Sequence, residues 1–182
     1  MKKLSIVVLF ATCISLPAQE TRHVLSRATG NAAVDNKPNS ANVPDAMAVS
    51  SQVQRFVVFR FKYDVDLLAG LQKMVAQEHI KNAVILSAFG SVRGYQVHQV
   101  DTRDMPVRDI YVKNPTEPAD ILGMSGMVMS GRVHPHITLA VPGKAFGGHL
   151  EPDTHVFTFA VVTLGVLDDN LDMSKFDDWN VR

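Results

Sequence analysis

Residues 134–150 read HPHITLAVPGKAFGGHL, and this stretch predicts a β-hairpin whose two strands carry three histidines. Pro142 presets the backbone of one central turn residue, and Gly143 tolerates the strained conformation of the other. With these two residues as the turn, the numbers of facing residues sum to 285, which places His136 directly opposite His149. The spacing therefore predicts that two imidazoles meet across the hairpin.

A divalent metal is the ligand that this arrangement suggests. His134 lies two residues before His136, so both side chains point to the same face of an extended strand. Imidazole nitrogens bind zinc at about 2.0–2.1 Å, and three such ligands leave a fourth position open. We therefore predict a site for a divalent metal, zinc being the first choice, at His134, His136 and His149.

Two alternatives remain open for the hairpin. A three-residue loop would shift the register by one and turn His149 to the opposite face. The histidines could also be ordinary strand residues that bond to backbone carbonyls and water. Gly147 and Gly148 favour the site, because glycines inside a strand mark a bulge or a close approach by a ligand or another backbone. Pro135 cannot donate a ladder hydrogen bond, which predicts an edge or a bulge for its strand.

The first 18 residues are typical of a secretory signal. Lys2 and Lys3 precede an apolar run at 4–16, and Ala18 supplies a small residue at the predicted cut. The run is shorter than the roughly 20 residues that span a bilayer. We expect residues 1–18 to be removed and the mature chain to be exported, periplasmic or secreted, without a transmembrane segment. An uncleaved anchor is the alternative.

Charge and cysteine content narrow the classes of function. The chain has 18 basic and 18 acidic residues, and its single cysteine, Cys13, lies in the predicted leader. Cleavage removes two lysines and no acid, which leaves 16 basic residues against 18 acidic ones, a net charge of −2. Nucleic-acid-binding domains usually carry a basic patch, so this balance disfavours nucleic acid as a partner. Metal ligands in the mature chain would have to come from His, Asp or Glu.

The periodicity of residues 53–168 predicts one α+β domain with a mostly antiparallel sheet and one main helix. Apolar residues at spacings of three and four predict that helix, with Asp64 or Asp66 as its N-cap and its end near His79. A turn is expected between Gly90 and Gly94. Besides the hairpin, strands are predicted at 55–61, 83–89, 95–100, 107–112, 121–129 and 155–167.

The two flanking segments have a different composition from the domain. Residues 19–52 are rich in Asn, Ala, Ser, Thr and Pro, and their lack of a sustained period predicts a disordered tether. Residues 169–182 are acidic, and we expect a solvated tail, with Phe176 and Trp179 as the residues that could dock on the surface.

Four polar residues near the hairpin are further candidates. Glu151 and Asp153 follow His149 and could act as a general base or an additional ligand, the alternative for both being an exposed turn carboxylate. His155 begins the next predicted strand and could approach the site. His98 could face either solvent or the pocket, so we expect its replacement to matter far less than that of a hairpin histidine. No nucleophile elbow, phosphate loop or metalloprotease helix occurs in the sequence, which leaves the question of catalysis open.

Four motifs in order carry a resemblance to a known family: AFGSV at 88–92, ILGMSG at 121–126, HPHI at 134–137 and FGGHL at 146–150. The last two are fairly specific in this order and separation. On these motifs, residues 54–167 resemble the PPC (plant and prokaryote conserved) domain, of the prokaryotic single-domain type. The resemblance implies an α+β fold with an antiparallel sheet, commonly assembled as a trimer. It also implies that His134, His136 and His149 match the candidate metal site of prokaryotic members.

Plant members of this family join the domain to AT-hook segments that bind the minor groove of DNA. No Arg-Gly-Arg-Pro segment occurs in this chain, and a predicted leader precedes the domain. We therefore expect an exported homotrimer whose metal site binds a small ligand or catalyses an unidentified reaction. The alternatives are a DNA-binding protein by analogy with the plant members, which rests on the fold alone, or a non-catalytic oligomeric interaction domain.

Overall fold

Eight β-strands form one antiparallel sheet, and two short helices accompany it. A computed structural model describes residues 19–26, 29–36 and 41–178, so the leader predicted at 1–18 lies outside the described part of the chain. In chain order the elements are β1 (Glu20–Leu25), α1 (Ala32–Asp35), β2 (Arg55–Lys62), α2 (Leu67–Gln77), β3 (Ala83–Val100), β4 (Arg108–Asn114), β5 (Ala119–Met129), β6 (Arg132–Val141), β7 (Lys144–Leu150) and β8 (His155–Val166). The α+β class with a mostly antiparallel sheet is confirmed.

The hairpin formed by β6 and β7 has the predicted register. Val141 pairs with Lys144 across the turn, and His136 pairs with His149. The loop therefore has two residues, and the alternative with a three-residue loop is wrong. The Pro-Gly turn was therefore enough to predict the register of this hairpin.

The strand β3 corrects one prediction. We expected two strands separated by a turn between Gly90 and Gly94, whereas the chain continues through both glycines as one strand of 18 residues. Gly90 has φ +133°, and a Cβ atom there would collide with the carbonyl oxygen of Phe159 in β8. The glycine therefore lets two backbones approach at an irregularity of the β3–β8 pairing, and does not reverse the chain.

The length of β3 makes it the central strand. It pairs with β8 and β5 through its first part, and with β4 and β7 near its end. Because β5, β6 and β7 connect in sequence and β7 returns to β3, this part of the sheet closes on itself. Side chains inside it are almost fully buried, including Val97, Leu139 and Leu150 at 2% exposure or less.

The main helix α2 covers the core near β2, β6 and β8. Asp66 is its N-cap, since its side chain accepts a hydrogen bond of 2.9 Å from the backbone N–H of Ala69. The apolar spacing of three and four places Leu67, Leu71 and Val75 on one buried face. Among the described residues, no helix is long and apolar enough to cross a bilayer.

Both flanking segments depart from their predictions. The tether predicted at 19–52 is wrong for residues 20–25, which form β1 and pair with β4 over six residues. The exposed edge of β4 supplies hydrogen-bonding groups that the composition of this segment did not reveal. The acidic tail predicted at 169–182 also packs on the domain as far as it is described. Asn82 donates side-chain hydrogen bonds to the carbonyls of Asp168 and Leu171, and Met173 is buried. Trp179 lies outside the described residues.

Candidate metal centre

A row of aromatic rings crosses four neighbouring strands on one face of the sheet. Tyr111 in β4 pairs with His98 in β3, His98 pairs with His149 in β7, and His149 pairs with His136 in β6. Directly paired residues of adjacent strands point to the same face. The ring centroids of Tyr111 and His98 are 4.8 Å apart, and those of His98 and His149 are 4.7 Å apart. The row shows that four strands together, and not the hairpin alone, build the site.

Close approaches by two neighbouring strands explain the two glycines before His149, because a Cβ atom at Gly147 would collide with the carbonyl oxygen of Ile137 in β6. A Cβ atom at Gly148 would collide with the carbonyl oxygen of His98. The expected close approach at this position is therefore made by another backbone, and it brings His98 and His149 side by side.

The two histidines of β6 lie side by side, and His149 of β7 lies beside them. The Nε2 atoms of His134 and His136 are 3.3 Å apart, and their rings are stacked. His149 presents its ring edge-on to both, with centroid distances of 4.8 Å to His134 and 5.6 Å to His136. Two nitrogens that bind one tetrahedral zinc at about 2.0–2.1 Å are about 3.3–3.4 Å apart. The spacing of His134 and His136 fits this distance.

Carboxylates lie behind two of these three imidazoles. Oε1 of Glu151 is 2.9 Å from Nδ1 of His149, and Oδ2 of Asp177 is 3.1 Å from Nδ1 of His134. A carboxylate can only accept, so the Nδ1 atoms carry the protons and leave the Nε2 lone pairs free. Metal-binding histidines usually have such a carboxylate on the second nitrogen. The imidazoles of the hairpin and the two carboxylates beside them are therefore of the kinds that suit a divalent metal.

Glu151 also contacts a fourth histidine. The same oxygen lies 2.6 Å from Nδ1 of His98. Burial acts to raise the pKa of the Glu151 carboxyl, but hydrogen bonds and charge from His149 and His98 outweigh it and lower the pKa to about 2. Burial lowers the pKa of His136, and repulsion by the neighbouring histidines lowers it further. At neutral pH, Glu151 is thus an anion and His136 is a neutral imidazole, as metal binding requires.

The structure separates the two carboxylates that the sequence offered as candidates. Glu151 lies in the site, with a side chain only 16% exposed. Asp153 lies elsewhere, where it pairs with Lys113 at 2.7 Å. His155 is also outside the cluster, because its ring contacts the carbonyl of Asp64. Ligand atoms of Asp66, Asp153 and His155 lie within 4.8 Å of one another and form a second, more exposed group.

The sequence left one member of the site open and gave no sign of another. His98 belongs to the histidine cluster, here defined as His98, His134, His136 and His149, and so faces the pocket, whereas the sequence had left solvent as the alternative. Its position in an alternating strand was the available signal, but its pairing with β7 depends on residues 50 positions away. Asp177 gave no signal within an acidic run. Ligand atoms of His98, His149 and Glu151 lie within 4.8 Å of one another. In the part of the chain that the structure describes, the predicted set of His134, His136 and His149 does not form such a group, and the two sets share only His149.

The cluster opens into a cleft of about 630 Å³, which we call the histidine cleft. All four histidines line it, as do residues of β1, β3, β4, β6 and the C-terminal segment. The remaining lining residues are Val24, Leu25, Ser26, Val100, Asp109, Tyr111, Arg132, Val133 and Asp177. A ligand bound at the cluster would therefore touch both apolar and charged side chains.

The fold and the site together define an α+β domain that carries a histidine cluster on one face of an antiparallel sheet. The chain belongs to the Plants and Prokaryotes Conserved (PCC) domain family, also written PPC, whose model matches residues 48–168.

Solved structures resemble the domain. The metal-containing protein AF0104 from Archaeoglobus fulgidus is 25% identical, with a TM-score of 0.56 over 74% of this chain and 95% of that one. A PPC protein from Pyrococcus horikoshii is 19% identical, with a TM-score of 0.53 over 68% and 85% of the two chains. A candidate DNA-binding protein from Bacteroides thetaiotaomicron is 16% identical, with a TM-score of 0.51 over 68% and 85%. The last two likenesses concern the fold alone.

A longer relative matches in sequence. The bifunctional protein GlmU of a Synechococcus strain is 27% identical over 130 residues, which are 70% of this chain and 20% of that protein. The chain thus spans about a fifth of the length of this curated relative.

Proposed function

We propose that this protein binds one divalent metal ion, with zinc as the first candidate, through His134, His136 and His149. The observation that carries the proposal is the 3.3 Å separation of the Nε2 atoms of His134 and His136, with the ring of His149 edge-on beside them. The metal-containing relative from Archaeoglobus fulgidus, which is 25% identical, supports a metal in this family.

The proposed role is to bind a small molecule in the histidine cleft, with catalysis left open. Zinc held by three neutral imidazoles keeps its positive charge and can polarise a carbonyl or lower the pKa of bound water to about 7. Glu151 orients His149 through a hydrogen bond to Nδ1, and Asp177 lies 3.1 Å from Nδ1 of His134, where it orients that ring by charge. His98 acts on His149 through their shared carboxylate.

Metal analysis of matched variants tests this proposal. We expect about one zinc or similar ion per chain in protein purified without chelator or affinity metal, and its loss in His136→Ala. His155→Ala is the control, because His155 belongs to the second group of possible ligands. Circular dichroism should show both variants folded. Stoichiometric metal in His136→Ala, or its loss only in His155→Ala, would contradict the proposed site.

Export and assembly are further parts of the proposal. The leader that the sequence predicts at 1–18 favours export to the periplasm or the exterior, with a mature chain that starts near Gln19. A homotrimer is supported by an exposed apolar face on the paired strands β2, β8 and β3, where Phe56, Val58 and Phe89 are more than half exposed.

A DNA-binding role is the alternative that the Bacteroides relative suggests by its description. Equal numbers of basic and acidic residues in this chain give no excess of positive charge for phosphates. The metal site therefore remains the favoured proposal.

A further inference from the structure

The walls of the histidine cleft come partly from segments outside the family domain. The family model matches residues 48–168, whereas β1 and Asp177 lie before and after this range. Val24 and Ser26 line the cleft from one side, and Asp177 lines it from another. These additions shape the space over the cluster, so they are placed to determine which ligand this chain accepts.

The wall built by β1 is apolar near the histidines. Val24 in β1 pairs with Asp109 in β4, and Asp109 pairs with Val100 in β3. Val100 lies two residues after His98, so both side chains point to the same face of the sheet. The Asp109 carboxylate between the two valines accepts a hydrogen bond from Ser26 and is almost fully buried. The surface that remains for a ligand here is hydrocarbon, and Val100 is 64% exposed.

The opposite corner of the cleft is suited to a carboxylate. Arg132 precedes His134 by two residues in β6, and its guanidinium lies 2.9 Å from Oδ2 of Asp177. The same oxygen contacts His134. The Arg132 side chain is 59% exposed, which leaves room for a second acceptor. Arginine can hold carboxylate groups through several N–H donors at once.

We infer that the histidine cleft binds a small monocarboxylic acid, with its carboxylate at the metal and Arg132 and its hydrocarbon chain against Val24 and Val100. This inference rests on the proposed metal site. A volume of about 630 Å³ falls within the range of small-molecule pockets, about 300–1,000 Å³. Neutral imidazoles leave the positive charge of the metal free to attract an anionic oxygen. Val24 and Val100 contact the hydrocarbon chain of the ligand.

Calorimetric titration with hexanoate, acetate and 1-hexanol tests the inference on the full mature chain, with metal content measured in every sample. We expect hexanoate to bind up to about 250-fold more tightly than acetate, because it has four more CH₂ groups and each one that is buried is worth about fourfold in affinity. We expect 1-hexanol, which lacks the carboxylate, to bind more weakly than hexanoate.

Two exposed valines provide the variants. Val100→Ser should weaken hexanoate binding about fivefold and leave acetate binding unchanged. Val34→Ser is the control, because Val34 is 50% exposed on α1, does not line the cleft and lies outside the proposed interface. Equal affinities for hexanoate and acetate, or equal effects of the two substitutions, would overturn the inference.

Metal content separates this inference from the proposal on which it rests. Wild-type protein with bound metal that does not bind hexanoate would refute the ligand class and leave the metal site standing. If protein without metal still binds hexanoate, and Val100→Ser weakens that binding, the metal site is refuted. The contact of the hydrocarbon chain with Val100 then stands.

Discussion

Glu151 illustrates how one carboxylate organises several residues at once. Its Oε1 atom contacts Nδ1 of both His98 and His149, and its side chain is mostly buried. The sequence offered Glu151 as a general base or an additional ligand, with an exposed turn carboxylate as the competing interpretation. The contact with His98 decides between them, and it exists because β3 and β7 are hydrogen-bonded neighbours.

Replacement of Glu151 by Gln should weaken metal binding while the domain stays folded. The amide loses the negative charge that fixes the tautomer of His149, and removal of such supporting partners typically costs about 10–100-fold in metal affinity. Competition with a chromophoric chelator measures the change. Glu117→Gln is the control, since Glu117 accepts a hydrogen bond from Tyr95 and takes no part in the cluster. Equal metal affinities of the two variants would show that Glu151 does not support the metal-binding histidines.

At the scale of elements, local chemistry and long-range pairing differ in how well the sequence predicts them. The β6–β7 hairpin follows from a Pro-Gly turn and from the alternation of its strands. The continuity of β3 does not follow from local sequence. Gly90 makes room for the backbone of Phe159 in β8, which is 69 residues further along the chain. The pairing of β1 with β4 depends likewise on a free edge that only the folded sheet creates. The positions of His134, His136 and His149 on one hairpin were therefore predictable. The sequence left open whether His98 faces the pocket, and it gave no sign of Asp177.

A hydrogen bond between β3 and the loop before β5 should make stability depend on alkaline pH. Tyr95 donates to Glu117 at 2.6 Å, and burial, followed by the contact with Glu117, raises the tyrosine pKa from 10.0 to about 12. Between these values the unfolded chain releases the proton while the folded chain retains it, so unfolding becomes more favourable as pH rises. Below pH 10 this contribution is fully present.

Denaturant unfolding of wild type and Tyr95→Phe measures this effect. We expect the variant to be less stable at pH 8, by about 1.5–3 kcal/mol for a lost hydrogen bond to a charged group. The difference should shrink as the pH rises from 10 towards 12, because only the wild type loses the tyrosine contribution. Parallel stability curves over that range would show that the Tyr95 pKa is not raised.

At the scale of the whole molecule, two surfaces have different roles in our account. One face of the sheet carries the histidine cluster and its cleft. Another, on β2, β8 and β3, exposes large apolar side chains, including Phe56 and Phe89. Contiguous exposed apolar side chains commonly mark protein interfaces.

We expect light scattering to give the wild-type protein a mass three times that of one chain. Phe89→Asp should shift the mass towards that of a monomer, since it places a charge in the proposed interface at a side chain that is 53% exposed. Val100→Asp should leave the trimer intact, because Val100 lies in the histidine cleft. A monomeric wild type, or equal dissociation of both variants, would contradict the assignment of this face.

Anomalous diffraction from crystals of the metal-loaded protein locates the bound ion. We expect one peak per chain, about 2.0–2.1 Å from the Nε2 atoms of His134, His136 and His149. A peak bound by Glu151 together with His98 and His149, or one at the group of Asp66, Asp153 and His155, would contradict it. So would a map of metal-loaded protein with no peak at the cluster.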